Sequence, residues 1–273
     1  LVKIKKRRFK NEYGAMNTVK IFSDGVIEAG TASLLDPYEG TNNNGILNWV
    51  PDTLKKVVTL YDSAGFQIHF HAIGDRAIRT TLDAFEYARN INGSKDIRHM
   101  ISHVQLIHPQ DLVRFKELDI IASFQPLWAY PDQYIKELTI PVLGSVRSKW
   151  NYPINSLLLT GARITGGSDW SVTSLNPLYG IEVAVTRQEP GNPDGDILYK
   201  EEAVDLETIL KAYTLDGAYS LFKDHEIGSI EIGKLADIII LDRNLFDISA
   251  HEIHKAKVVM TMFNGEIVYD NKY

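Results

Sequence analysis

The residues Gly65-Phe66-Gln67-Ile68-His69-Phe70-His71-Ala72-Ile73-Gly74-Asp75-Arg76-Ala77 bring a strand, two histidines and a helix start together in one short stretch. In an extended segment Gln67, His69 and His71 share one face and Phe66, Ile68 and Phe70 the other, so the polar and apolar rows point opposite ways. Asp75 reads as an N-cap. Ile78, Leu82 and Phe85 then follow at four- and three-residue spacing, as on an amphipathic helix that folds back over the apolar row. This is half of a βα unit with imidazole at the carboxyl end of its strand, where parallel α/β proteins carry their chemistry. A lone histidine is more often a hydrogen-bonded core residue, and two on one face beside a Gly-Asp turn shift the balance toward a site.

The same alternation extends in both directions. Upstream, residues 17–24 (Asn-Thr-Val-Lys-Ile-Phe-Ser-Asp) read as a strand closed by Asp24-Gly25, with Lys20 in its middle. An ammonium inside an apolar strand must snorkel outward or serve a purpose, since burying it unpaired is expensive. Residues 29–49 are rich in Gly, Asn, Thr and Pro without periodicity and read as a lid or binding loop. Residues 51–64 form a helix opened by Pro51, with Leu54, Val57, Val58 and Tyr61 on one face. Downstream, 97–104 is a strand with His103 near its end, 109–118 a helix, and 120–126 a continuously apolar strand like those buried in parallel sheets. Residues 127–149 are irregular and hold Trp128, Tyr130 and Tyr134. A helix at 155–161, a strand at 163–170 that ends on Asp169, and a helix at 205–223 follow. Five strand-helix alternations predict a parallel sheet, open or closed. The last residues change character: strands at 228–230, 236–241, 258–263 and 267–269, with Asn264-Gly265 as a type I′ turn, predict a small antiparallel module.

Composition narrows the function classes. The chain has 273 residues, 44% hydrophobic and 23% charged, with a formal net charge of -6, so no basic field invites a phosphate backbone. The basic run Lys3-Ile4-Lys5-Lys6-Arg7-Arg8 is short and isolated, and reads as a solvated edge or terminus. With no cysteine, a disulfide framework, a thiolate metal site and a Cys nucleophile are excluded. No apolar run approaches the roughly 20 residues of a membrane span and no signal-peptide core opens the chain, so the expectation is a cytoplasmic protein without nucleic-acid or membrane partners. The chain begins at Leu1, which hints at a mature form or a fragment.

Lys20, His71, His103 and Asp169 are the polar residues at successive strand ends. Two imidazoles and a carboxylate suit Zn²⁺ or a similar divalent ion. His99 and His108 read as surface or helix-start residues. At this point the chain resembles the amidohydrolase superfamily of metal-dependent hydrolases, and within it the YtcJ-like group that includes N-substituted formamide deformylases. The motifs that carry the resemblance are Val-Lys-Ile-Phe-Ser-Asp-Gly (19–25), His-Ala-Ile-Gly-Asp-Arg-Ala (71–77), Ile-Ser-His-Val-Gln (101–105), Gly-Ser-Asp-Trp (167–170) and Gly-Lys-Leu-Ala-Asp (233–237).

The resemblance implies a TIM-like (β/α)₈ barrel with a small β-sandwich satellite and one or two zinc ions at the barrel mouth. Lys20 would match the strand-four lysine that can be carboxylated to bridge two metals, His71 and His103 the ligands of strands five and six. Asp169 would match the strand-eight aspartate that binds metal and takes a proton from the attacking water. Asp24, Gln125, Trp128 and Trp170 are the expected substrate-binding residues, and residues 1–224 and 225–273 the expected barrel and sandwich portions. The family's His-x-His pair of strand one has no counterpart upstream of Lys20, because His69-x-His71 already belongs to strand five. The expectation is therefore the C-terminal portion of the family's length, with barrel strands four to eight, about five parallel strands and an edge that another segment or a second copy completes. The implied activity is hydrolysis of C–N bonds in small amides by metal-activated water. Two alternatives remain open: a non-catalytic scaffold lacking the first ligand pair, and a hydrolase of cyclic amides or esters on the same fold.

Overall fold

The computed structural model describes residues 16–271, so the basic run at 3–8 lies outside the described residues. The chain divides into two compact units. One is formed by the described residues up to Ser123 together with Lys136–Arg163, the other by Phe124–Ile135 and the residues from Ile164 onward.

In the first unit β1 (Thr18–Phe22), β2 (Gln67–Ala72), β3 (Met100–His103) and β4 (Ile121–Phe124) pair in that order, every neighbour parallel. Helices α1 (Pro51–Ser63), α2 (Asp75–Asn92) and α3 (Leu112–Glu117) fill the connections. Ile21, Ile68, Phe70 and Ile101 on the sheet are buried along with Leu54, Val58, Ile78, Leu82 and Phe85 of the helices. Phe70 meets Phe85 edge to face, 5.4 Å between ring centres. Burying each such side chain contributes about 1.5–3 kcal/mol, so this apolar layer holds the strands in place. Thr18, Lys20 and Phe22 on the alternate positions of β1 are exposed.

Helix α2 begins one residue earlier in role than its sequence suggests. Gly74 is the N-cap and makes no side-chain cap, while Asp75 is the first helical residue. Its Oδ1 accepts the N–H of Leu35 at 2.9 Å and of Arg76 at 2.9 Å. Burial raises the Asp75 carboxyl above its usual range, and these two donors oppose that rise. The loop expected at 29–49 has no regular structure but is packed down: Ala32, Leu34 and Tyr38 join Ile27, Ile73, Leu106 and Leu143 in a buried cluster, and the Tyr38 hydroxyl donates to Ala32 O at 2.8 Å.

The stretch 127–149, expected to be irregular, contains a π-helical turn at Ile135–Thr139 and α4 (Ile140–Arg147). Gly144, at φ 74°, breaks the helical backbone inside α4, which is why no clean period shows in the sequence. Helix α5 (Ile154–Leu159) closes this unit.

The second unit holds β5 (Ile164–Gly166), α6 (Pro177–Thr186), α7 (Leu206–Tyr213), α8 (Leu215–Ser220) and the antiparallel sheet β6 (Ile238–Leu241), β7 (Val258–Phe263) and β8 (Glu266–Asp270). Asn264 and Gly265 both have positive φ, 50° and 84°, as a type I′ hairpin requires. The strand expected at 228–230 does not form: Gly228 sits at φ 92° in a turn against Leu215 and Ala218. The helix expected at 205–223 is two helices, broken at Thr214. Helix α6 escaped the sequence reading, although Asn176 caps it by accepting from Leu178 N–H and Pro177 opens it. Among the described residues no helix is long and apolar enough to cross a membrane.

At the amino ends of the strands, His99 Nδ1 accepts the Ile68 N–H at 3.0 Å, so its Nε2 carries the proton given to Asp62 Oδ1, also at 3.0 Å. Asn92 donates to the other Asp62 oxygen at 2.6 Å. Burial alone would raise the Asp62 carboxyl, but the His99 and Asn92 hydrogen bonds and the nearby Lys95 charge bring it below its usual value. A depressed folded value contributes stability above the unfolded value of about 3.9, and that stability is lost as pH falls through the folded value. The gap in Tm between the parent chain and Asp62→Asn, followed by circular dichroism, is therefore expected to be widest above about pH 4 and to close in stronger acid. A gap independent of pH would contradict this.

Candidate active site

The register pairs Lys20 with His69, Phe22 with His71, His71 with Ser102 and Ala72 with His103. Paired positions of a parallel ladder share a face, so His71 lies with Phe22 and Ser102, and the ladder alone would send His103 to the helix-covered side with Ala72. The backbone overrides the ladder. His103 at φ 76° and Val104 at φ 48° are both left-handed, and the rings of His71 and His103 end with centres 4.6 Å apart, tilted by 64°. A buried β-branched residue in that region is an outlier costing about 1–3 kcal/mol, and such strain persists where the surroundings enforce it.

His71 is buried, with the exposed ring of Phe22 centred 5.1 Å from its own. Its Nδ1 is shielded and makes no hydrogen bond; the Asp24 Oδ1 lies 3.4 Å away, an ion-pair distance but too long for a hydrogen bond of normal geometry. His69, half-buried on the same face, hydrogen-bonds through Nε2 to Ser102 Oγ. Burial, with the Lys20 and His103 charges adding to it, pushes the His69 imidazole down to about 3, so it is neutral at physiological pH. Lys20 Nζ lies 5.5 Å from the centre of the Phe22 ring. The lysine side chain is exposed, the outward course open to an ammonium in an apolar strand.

Asp24, expected to contact substrate, is enclosed instead. Its Oδ2 accepts from Ser33 N–H at 3.0 Å and Gly74 N–H at 2.8 Å, and its Oδ1 from Ile73 N–H at 3.1 Å. It ties the 24–45 loop to the turn that carries His71 into α2. Gly74 is required there, because a Cβ would stand 2.1 Å from the Ser33 carbonyl oxygen.

The other expected residues belong to the second unit. Asp169 is exposed on the turn after β5, at φ 52°, and Trp170 beside it is 66% exposed. Gln125 is buried and Trp128 half-buried. The expected strand at 163–170 is only three residues long, and Gly166 ends it against the ring of Tyr213, whose atoms lie 2.4–2.6 Å from where a Cβ would be. That half-buried ring, with its hydroxyl pushed up by burial, is the reason for glycine just before the Gly-Ser-Asp-Trp motif.

Among the described residues no three His, Asp or Glu side chains come close enough together to hold a metal ion. The side chains that do come together are two imidazoles, a ligand type that suits a divalent metal ion.

Sequence comparison decides the family, since the amidohydrolase family model matches residues 3–269. The chain belongs to the amidohydrolase family. It is 34% identical over 270 residues to the protein LONG AFTER FAR-RED 3 of Arabidopsis thaliana, covering 98% of this chain and 45% of that one. It is 30% identical to YtcJ of Bacillus subtilis (strain 168), with 95% and 47% covered, and 26% identical to an N-substituted formamide deformylase of Arthrobacter pascens, with 76% and 37% covered. A crystal structure of an uncharacterized metal-dependent hydrolase from Pyrococcus horikoshii superposes with a TM-score of 0.76 at 29% identity, covering 89% of this chain and 48% of that one. The family thus accounts for the parallel α/β architecture, and the chain spans about half the length, or less, of these relatives.

Sequence reading missed the enclosure of Asp24, the pairing of Ser102 with His69 and the Gly166–Tyr213 contact. The Ser-Asp-Gly and Gly-Gly-Ser tripeptides were their only signals. The close approach at Gly74 predicts that Gly74→Ala destabilises the chain by about 1–3 kcal/mol through overpacking. Gly217→Ala in α8, where the nearest atom is 3.7 Å from the new Cβ, is expected to be neutral or to stabilise by up to about 1 kcal/mol. Thermal melts of the two variants check the contrast.

Proposed function

We propose that the chain carries the later strands of an amidohydrolase barrel and works as part of a metal-dependent hydrolase of C–N bonds in small amides. On this reading β1–β5 are strands four to eight of a (β/α)₈ barrel, and β6–β8 belong to a β-sandwich satellite. The observation that supports it is the imidazole pair of His71 and His103 at the carboxyl ends of adjacent parallel strands, held on strained backbone in a chain of this family.

His71 and His103 would hold a divalent ion, zinc in this reading, through ring nitrogens, with Lys20 adding an oxygen donor if carboxylated. Such an ion supplies Lewis acidity toward a carbonyl and a water acidic enough to attack near neutral pH. Asp169 would take the proton from that water and return it to the leaving nitrogen. Gln125, Trp128 and Trp170 would contact the substrate, with the indole rings as apolar walls. The enclosed carboxylate of Asp24, already bonded to three backbone N–H groups, fits a supporting task better than contact with substrate. The fold does not set the substrate, so the proposal names a bond type and a first candidate class, N-substituted formamides.

Zinc titrated into the full chain by calorimetry is expected to bind, and His71→Ala or His103→Ala to weaken binding by more than the roughly 10–100-fold typical of outer-shell changes. The zinc-loaded chain, supplied with the segment that completes the barrel, is expected to release formate and amine in equal amounts from an N-substituted formamide. Zinc binding unaffected by both variants would refute the assigned centre, and bound zinc without formamide turnover would refute the substrate class.

A further inference from the structure

We infer that Asn264 is a site of spontaneous deamidation, and that the fold protects the two other asparagines followed by glycine, Asn44 and Asn92. The sequence holds three Asn-Gly pairs, at 44–45, 92–93 and 264–265. Glycine in the second position leaves the peptide nitrogen uncrowded, because no Cβ shields it. The chemistry belongs to the chain itself and needs no metal or substrate.

Asn44 and Asn92 are tied down. The Asn44 Nδ2 donates to Leu34 O at 3.3 Å and Leu35 O at 3.2 Å, and the Gly45 N–H donates to Asn43 Oδ1 at 2.9 Å. Gly45 is also wedged against the loop, since a Cβ there would stand 1.8 Å from Ala32 O. The Asn92 Nδ2 donates to Asp62 Oδ2 at 2.6 Å and Thr59 O at 2.9 Å, and the Gly93 N–H to Arg89 O at 2.9 Å at the end of α2. Asn264 differs at each point. It and Gly265 are exposed at the tip of the β7–β8 hairpin, and β8 is exposed along its whole length. The backbone N–H of Asn264 donates to Asp237 Oδ1 at 2.7 Å, while no partner is identified for its side-chain amide among the described residues. The Gly265 N–H reaches Ala236 O at 3.2 Å, the long end of the normal range. Apart from its chain neighbours, nothing lies within 4 Å of where a Gly265 Cβ would be.

Deamidation requires the Gly265 backbone nitrogen, after giving its proton to hydroxide, to bond the Asn264 side-chain carbonyl carbon. The bond from that carbon to the amide nitrogen breaks, and ammonia leaves with a proton taken from water. Water then opens the cyclic imide at one of its two carbonyls, giving aspartate or isoaspartate at position 264. One water is consumed and one ammonia released, with no oxidant or reductant. Closing the ring requires the turn to open and the side chain to swing over the following peptide. An exposed hairpin tip opens at small cost, whereas at 44 and 92 side-chain hydrogen bonds have to break first. The aspartyl product tolerates the φ of 50° at this position. The isoaspartyl product lengthens the main chain by one carbon where Phe263 and Glu266 face each other across a two-residue turn, and so loosens the hairpin.

The test incubates the full chain at mildly alkaline pH and physiological temperature, with and without urea. Digestion in mild acid and tandem mass spectrometry then follow the amide-to-acid exchange at each asparagine over time. In the folded chain Asn264 is expected to convert at least about tenfold faster than Asn44 or Asn92, the factor that about 1.4 kcal/mol of extra tethering supplies. In urea the three rates are expected to converge. A folded chain in which Asn264 keeps its amide as long as Asn44 or Asn92 overturns the inference. So does a lead of Asn264 that persists undiminished in urea, because it would come from neighbouring residues and not from the fold. Asp62→Ala, checked for native fold by circular dichroism, removes one tether and is expected to speed conversion of Asn92 while leaving Asn264 unchanged. An unchanged Asn92 in that folded variant overturns the protective role of the tether. Should Asp62→Ala fail to fold, the rates of the parent chain with and without urea decide alone.

Discussion

One carboxylate organises the carboxyl end of this sheet. Asp24 accepts three backbone N–H bonds from residues on either side of the strand that carries His71. Each donor would otherwise be buried and unsatisfied, a loss of about 1–3 kcal/mol apiece. The loop from Gly25 to Gly45 therefore does not hang over the strand ends as a mobile lid. It is stitched down by Asp24 and Asp75 and by the apolar cluster of Ile27, Ala32, Leu34 and Tyr38, and the turn at Gly74 is tight because the loop backbone presses against it. The fixed loop fixes the turn, and the turn fixes His71.

The second determinant acts against the ladder. A parallel pair assigns faces by register, and that register would separate the two histidines. Left-handed backbone at His103 and Val104 brings them together, and the packing of a fully buried Val104 offsets the cost. A strand that merely ended would relax such backbone. Its persistence beside a second buried imidazole ties the strain to the arrangement of the pair.

Most of the α/β architecture was legible because it rests on period: the apolar row Ile68 and Phe70 against Ile78, Leu82 and Phe85 reads directly from spacing. The hairpin at Asn264-Gly265 was legible because only a few residues tolerate two successive positive φ values. What the sequence hid was non-periodic. Helix α4 carries Pro141 and Gly144 inside it, α6 is apolar on too many sides to show a stripe, and Thr214 divides one long pattern into two helices. The site was legible as a set of residue types and not as a mechanism of placement. Strand parity correctly put His69 and His71 on one face but does not account for His103, whose position comes from backbone conformation that no pattern of residues announces.

Lys20 shows how context changes the meaning of a charge. In the sequence it is a cation inside an apolar strand that must snorkel outward or serve a purpose. On β1, with strand pairing identified on one side only, Thr18, Lys20 and Phe22 are exposed, so the ammonium keeps its hydration and rests near the Phe22 ring. A solvated lysine has no reason of its own to surrender its proton and react with carbon dioxide. If Lys20 becomes a carbamate, the driving force must be a cation that the product anion binds, since burial supplies none here. On the proposed metal-dependent reading the imidazoles that Asp24 and the Val104 backbone hold in place would come first, the ion second, and any modification of Lys20 last.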